Sequence, residues 1–207
     1  MKQLTLKRFG MRFKHTGKVL QAAAESKRTI TRPTPVSYDF LRLSKRYAQD
    51  VNALGNKFGV KVLSVNLHGS VKRGLVKPGS DVDINLFVRF KPNLGEESIK
   101  KTLGDFFTKL NQTADKRYRP LIRNEVKINV TVYPETELET ELLSKPSHMY
   151  VLLTSKPLVG RKYYNTVRKE IINRIDKTPK MAAEILKSHE KVVSTRIKER
   201  LRELKMQ

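Results

Sequence analysis

Cysteine is absent from the 207 residues, which excludes disulfides, thiol catalysis and zinc sites built on thiolates. That absence suits a reducing compartment. Acids are scarce: 20 Asp and Glu face 43 Lys and Arg, leaving a formal net charge of +23. Such an excess goes beyond the needs of solubility and points to a polyanionic partner, nucleic acid first. Ribosome-bound and membrane-surface proteins are equally basic, so charge alone does not separate an enzyme from a binder. No run approaches the 18 apolar residues of a transmembrane helix, and no membrane partner is expected. Histidine is sparse as well, and His15, His68, His148 and His189 are scattered without metal-ligand spacing.

The remaining composition supports a real core, and the chain divides by charge and periodicity. Residues 1–36 hold nine Lys/Arg and one acid, Glu25, and end in the Pro33/Pro35 pair. They read as a basic arm, with a mitochondrial transit peptide as the competing reading. The expected location is accordingly intracellular and cytoplasmic, or mitochondrial in the second case. From Ser37, a candidate N-cap, Phe40, Leu43, Tyr47, Val51, Leu54 and Phe58 recur at helical spacing until Gly59. A strand over 60–67, a turn at Gly69-Ser70 and a second strand over 81–88 follow. Alternation on the second strand puts Asp81, Asp83 and Asn85 on one face and Val82, Ile84 and Leu86 on the other.

Residues 96–115 read as a helix, and 125–133 as a strand with Val126, Ile128, Val130 and Val132 on one side and Glu125, Lys127, Asn129 and Thr131 on the other. Beyond it come a short acidic helix over about 135–145, an apolar stretch from Met149 to Leu153, and two basic helices over about 162–176 and 179–204, the second opened by Thr178-Pro179. Residues 156–207, with fifteen Lys/Arg against six Asp/Glu, carry a net +9. The order implies an α+β domain with a small mixed β-sheet flanked by helices, between a basic N-terminal arm and a basic helical C-terminal region.

The segment His68-Gly-Ser-Val-Lys-Arg-Gly-Leu-Val-Lys-Pro-Gly-Ser-Asp81-Val-Asp83 carries the chemistry. Gly69 lets backbone approach a phosphate, Ser70 offers a hydroxyl and an amide to phosphate oxygens, and a short helix starting there adds its positive end. Lys72 and Arg73 lie within reach of the same anion. Two carboxylates one residue apart on a strand project from one face about 7 Å apart, a spacing suited to neighbouring divalent ions.

Gly69-Ser70-Val71-Lys72-Arg73-Gly74, followed by Asp81-Val82-Asp83 on the next strand, resembles the DNA polymerase β-like nucleotidyltransferase superfamily, which includes the minimal, CCA-adding and poly(A) polymerase-like enzymes. The resemblance spans roughly residues 37–133 and implies a nucleotidyltransferase-like domain over 37–155. It further implies catalytic and metal-holding roles for Asp81 and Asp83 with Mg²⁺ or Mn²⁺, and nucleotide binding at Gly69, Ser70, Lys72 and Arg73. Its enzymes carry a third carboxylate on a neighbouring strand, inside a hydrophobic-Asp-hydrophobic run. Here that strand reads Val126-Lys-Ile-Asn-Val-Thr-Val-Tyr133, and Asn129 stands in the slot. An amide oxygen ligates Mg²⁺ but brings no charge and takes no proton. Glu125, on the same face, lies roughly 13 Å further along an extended strand.

Two functions fit. One is a metal-dependent nucleotidyltransferase that adds a nucleotide from a nucleoside triphosphate to an RNA acceptor. The other is a catalytically impaired scaffold that binds RNA or belongs to a ribonucleoprotein assembly. His68 reads as a packed strand end more readily than as a nucleotide contact. Tyr163 and Tyr164, beside Arg161 and Lys162, fit base stacking or core packing equally. The final helix fits RNA phosphates somewhat better than a protein partner.

Overall fold

A computed structural model describes residues 19–22, 35–72, 81–91, 95–117 and 128–191. Helix α1 (Pro35–Lys57) opens on a proline, which forfeits no hydrogen bond at a first helical position. Ser37 therefore lies inside the first turn rather than capping it. The helix closes at Gly59, where the Val60 N–H reaches the Gly55 carbonyl at 2.9 Å. Strand β1 (Lys61–His68), the short turn α2 (Gly69–Lys72), strand β2 (Val82–Arg89), helix α3 (Glu96–Arg117) and strand β3 (Ile128–Pro134) follow in the expected order. No helix among the described residues is long and apolar enough to cross a membrane.

The sheet has four strands in the order β3-β2-β1-β4, where β4 is Lys156–Val159. Strand β2 runs antiparallel to β1 and parallel to β3, and β4 is antiparallel to β1. The architecture is thus the small mixed sheet flanked by helices that the element order implies. Strand β4 falls outside the expected elements. It has four residues, no alternation and a proline, Pro157, which a sheet tolerates at its edge. The sheet consequently extends beyond residue 155.

Both faces of the sheet are covered. On one, Val82, Ile84, Leu86 and Val88 of β2 and Val65 and Leu67 of β1 pack with Phe40, Tyr47 and Val51 of α1 and Phe106 and Leu110 of α3. A bulge between Val62 and Ser64 resets the alternation of β1, so Val62 also turns toward this first core. On the opposite face, Phe87 and Tyr133 begin a second core. It is completed by helix α4 (Pro146–Thr154), helix α5 (Arg161–Lys177) and a helix α6 over 179–191, which starts beyond Thr178 as the Thr-Pro pair foretells. The rest of the expected final helix, 192–207, lies outside the described residues.

The acidic stretch after β3 is not the expected α-helix. It forms a 3₁₀ turn over Glu135–Glu137 and a π turn over Glu139–Leu143. Pro146 holds Lys145 in an extended conformation, and the adjacent Leu142 and Leu143 are both buried in the second core. The chain meets both constraints with one tightened and one widened turn in place of a regular helix. Side-chain anchors fix it instead: Glu135 pairs with Arg89 through both carboxylate oxygens, and Arg174 pairs with Glu139. The Arg89 guanidinium holds the Glu135 carboxyl below its ordinary range.

Part of the expected basic arm is docked. Residues 19–22 are helical, and Val19, only 1% exposed, belongs to the second core. Residues 1–18 and 23–34 lie outside the described residues.

Gly160 joins β4 to α5 in the left-handed region, at φ 68°. A Cβ there would collide with the Leu63 carbonyl oxygen and lie 2.8 Å from Leu63 C and Ser64 Cα, all backbone of a central strand. Left-handed strain and overpacking then act together. We expect Gly160→Ala to lower unfolding stability by about 2–4 kcal/mol in urea titration; an unchanged midpoint would contradict this packing.

Candidate functional site

The site forms where β1 gives way to β2. Cross-strand pairing sets Leu67 against Ile84 and His68 against Asp83, after which the chain turns at Gly69 with φ 69°. Val71, buried in the first core, anchors the four-residue turn α2 that follows. The chain returns at Asp81, one residue ahead of β2.

Gly69 meets an unexpected demand. A Cβ on it would collide with Asp83 Oδ2 and come within 2.9 Å of Cγ and 3.2 Å of Cβ. The carboxylate of Asp83 therefore lies against the glycine, so this residue makes room for the acid as well as for any phosphate.

Parallel pairing of β2 with β3 then aligns Asp83 with Asn129. The Asn129 side chain is exposed, and its Nδ2 donates to Asp81 Oδ2 at 3.0 Å and to Asp83 Oδ1 at 3.4 Å. Asp81, Asp83 and Asn129 are thus brought together as the sequence pattern anticipates, but with the amide as a bridging donor. Nothing in the sequence pattern marks that role, because it depends on the register of two strands nearly fifty residues apart. Among the described residues no group of three or more His, Cys, Asp or Glu forms. Glu125 and Arg73 lie outside the described residues. Gly69, Ser70 and Lys72 are described, each half-buried in or at the end of the turn.

Further along the same face, Asn85 pairs with Asn66 of β1 and Thr131 of β3. Asn66 and Asn85 are buried, while Thr131 is exposed beside Asn129. Ser64 Oγ donates to Asn66 Oδ1 at 2.9 Å, and Asn66 Nδ2 donates to the Asn85 carbonyl at 3.4 Å. A polar strip therefore leads from the half-buried aspartates into the covered half of the sheet.

The tyrosines weighed for base stacking are core residues. Tyr164 is buried, and its hydroxyl donates to the carbonyls of Leu152 and Ser155 at 3.1 Å each. Tyr163 packs its ring on Phe87 at 5.8 Å, and burial together with Glu135 pushes its phenol up to about 12. Turning these rings inward leaves the neighbouring Arg161 and Lys162 exposed. His148 is likewise occupied: its Nδ1 lies 2.8 Å from the Glu141 carbonyl, which can only accept, and 3.2 Å from the Tyr133 hydroxyl.

The donor chemistry fits a hard divalent cation. Asp81 and Asp83 each place an oxygen within hydrogen-bond reach of a single atom, Asn129 Nδ2. A half-turn of that amide would present its oxygen instead, giving an all-oxygen set of the kind Mg²⁺ and Mn²⁺ take.

Residues 49–159, more than half of the chain, match the family model described as nucleotidyltransferase domain. The chain belongs to this family, in keeping with the DNA polymerase β-like superfamily that the Gly-Ser and Asp-x-Asp motifs resemble. No curated protein and no solved structure matches it.

The tight contact at residue 69 provides a direct check. We expect Gly69→Ala to destabilise the fold by about 1–2 kcal/mol, the usual cost of a left-handed non-glycine residue. Displacement of the Asp83 carboxylate should also weaken Mn²⁺-nucleotide binding by about tenfold or more. Calorimetric titration and thermal melting measure the two effects, and full-strength binding in the variant would refute the packing of Asp83 on Gly69.

Proposed function

We propose that this protein is a metal-dependent nucleotidyltransferase that moves a nucleotidyl group from a nucleoside triphosphate to an RNA acceptor. The observation that carries the reading is the convergence of Asp81 and Asp83 on one point beside the Gly69-Ser70 turn, within a nucleotidyltransferase domain. Asp81 and Asp83 would hold Mg²⁺ or Mn²⁺. When bound, the metal supplies the charge that activates an attacking hydroxyl and steadies a departing pyrophosphate.

The chain's own groups do the rest. Ser70, through its hydroxyl and the amides of the turn, binds phosphate oxygens, while Lys72 and Arg73 offset their charge. The acceptor hydroxyl oxygen forms its bond to the α-phosphorus as the bond from that phosphorus to the pyrophosphate oxygen breaks. Asn129 orients both carboxylates but cannot receive the acceptor's proton, which passes to an aspartate or to water. Chemistry at this site should therefore be slow beside that of a site with three acids.

RNA as the acceptor is supported by charge. The net +23 needs a polyanion, and the outward face of α5 offers Arg161, Lys162, Lys169 and Lys177 to solvent.

One observation favours a second reading. The Asn129 amide bridges one oxygen of each carboxylate without any cation, as suits a scaffold that binds RNA or a ribonucleoprotein without catalysis. Transfer of labelled nucleotide to total RNA with Mg²⁺ or Mn²⁺ separates the two. On the enzyme reading, Asp81→Asn and Asp83→Asn each abolish transfer, and Asn129→Asp raises it by about tenfold or more, within the range of one positioned acid or ligand. Retained transfer in either aspartate variant would sink the site assignment. No transfer by wild type or Asn129→Asp would leave the scaffold.

The charge reading is checked separately by the salt dependence of RNA retention. We expect log affinity to fall with log salt at about −0.7 for each single-strand phosphate neutralised. Neutralising Arg161, Lys162 and Lys169 together should flatten that slope. Binding indifferent to salt, or none at low salt, would remove RNA as the partner.

A further inference from the structure

The side chain that replaces the family's third acid also does something no acid can. An aspartate at position 129 would repel Asp81 and Asp83, whereas the amide of Asn129 donates a hydrogen bond to each, at 3.0 and 3.4 Å. We propose that Asn129 is a neutral stand-in for the cation: its NH₂ group holds the two carboxylates together, and an ion enters only by displacing it. The proposal rests on reading Asp81 and Asp83 as metal ligands.

Three features make the amide a competitor rather than a spectator. Its backbone position is fixed by the parallel register that aligns it with Asp83. Asp83 lies against Gly69, which blocks its carboxylate from moving toward the turn. Asn129 is exposed, so its amide is free to rotate. Hydrogen bonds to ionised acceptors are among the stronger ones a side chain makes, and both must break before a cation takes their place.

The consequence is a preference in how metal arrives. A free hydrated Mg²⁺ or Mn²⁺ parts reluctantly with its waters and meets two acids whose charge is already partly answered. An ion that comes on a triphosphate has phosphate oxygens in its shell and needs only one or two carboxylates from the protein. It also brings binding energy from the Ser70 turn. Asn129 thus makes the site accept metal as a nucleotide complex and resist the bare ion.

The test uses the full chain and follows free Mn²⁺ by its electron paramagnetic resonance signal, with Mn²⁺ alone and with an α,β-methylene ATP analogue. Removing the competing amide in Asn129→Ala should tighten binding of Mn²⁺ alone by about tenfold. In the presence of the analogue the gain should shrink to about threefold or less. The metal-free melting temperature should fall in the variant, and Mn²⁺ should raise it by more degrees than in wild type. Asn129→Ser, whose hydroxyl is too short to span both acids, should behave as Asn129→Ala does and serves if the alanine variant does not fold. Equal or weaker binding of Mn²⁺ alone in these variants, with the Mn²⁺-analogue complex still bound, would overturn the stand-in role and leave the metal site intact. Absence of Mn²⁺ uptake by wild type and variants, with and without analogue, would overturn the metal-site reading and this proposal with it.

Discussion

The antiparallel pairing of β1 with β2 carries two constraints that everything else in the molecule obeys. Asn66 faces Asn85 across the pair, and both side chains are buried on the same face of the sheet. A slip of one residue would turn the Asn85 amide into the apolar first core and drive Ile84 and Leu86 toward the opposite side. The slip would also break the bonds that Asn66 makes to Ser64 and to the Asn85 carbonyl, and apolar side chains moved off their core lose the burial that holds the sheet. With the register held, His68 falls opposite Asp83, and Gly69 necessarily lies against the acid's side chain.

The same face changes character along its length. Asp83 is half-buried, Asn85 is buried but polar, and Phe87 stacks on Tyr133 at 5.3 Å inside the second core. One strand thus presents, at successive positions of one face, a carboxylate, a polar filler and an apolar anchor. Helices α4 to α6 cover only the apolar end, so the exposed polar end of the sheet is a direct outcome of where the hydrophobic side chains stop. Tyr163 and the Arg89–Glu135 pair mark the far end of this cover. There burial raises the phenols of Tyr133 and Tyr163 to about 12.

Much of this was legible in the residues. The alternation of Val82, Ile84 and Leu86 against Asp83 and Asn85, and of Ile128, Val130 and Val132 against Asn129 and Thr131, is period-2 patterning that local rules capture. So is the strand-turn-strand around Gly69. The missed features depend on partners distant in the chain. Strand β4 has too few residues to show a period and exists because β1 offers it an edge. The π turn at Glu139–Leu143 answers to the burial of two adjacent leucines. Tyr163 and Tyr164 were ambiguous until Phe87 and the carbonyls of Leu152 and Ser155 appeared beside them. Val19 read as part of an arm because the rest of its core lies far along the chain, from Phe87 onward. At the site, the residue types were visible, but the bridging role of Asn129 was not, since it needs β3 docked in register on β2.

That docking also bears on how the molecule assembles. Strands β1 and β2 are antiparallel and joined by the shorter connection, whereas β2 and β3 are parallel and separated by the whole of α3. Parallel pairing across a long connection closes a large loop before any contact rewards it, and such contacts form late. Asp83 and Asn129 meet only through this pairing. The candidate site is consequently among the last parts of the protein to come into being, and a chain caught short of its final folding step would hold β1 paired with β2 and two aspartates with nothing between them.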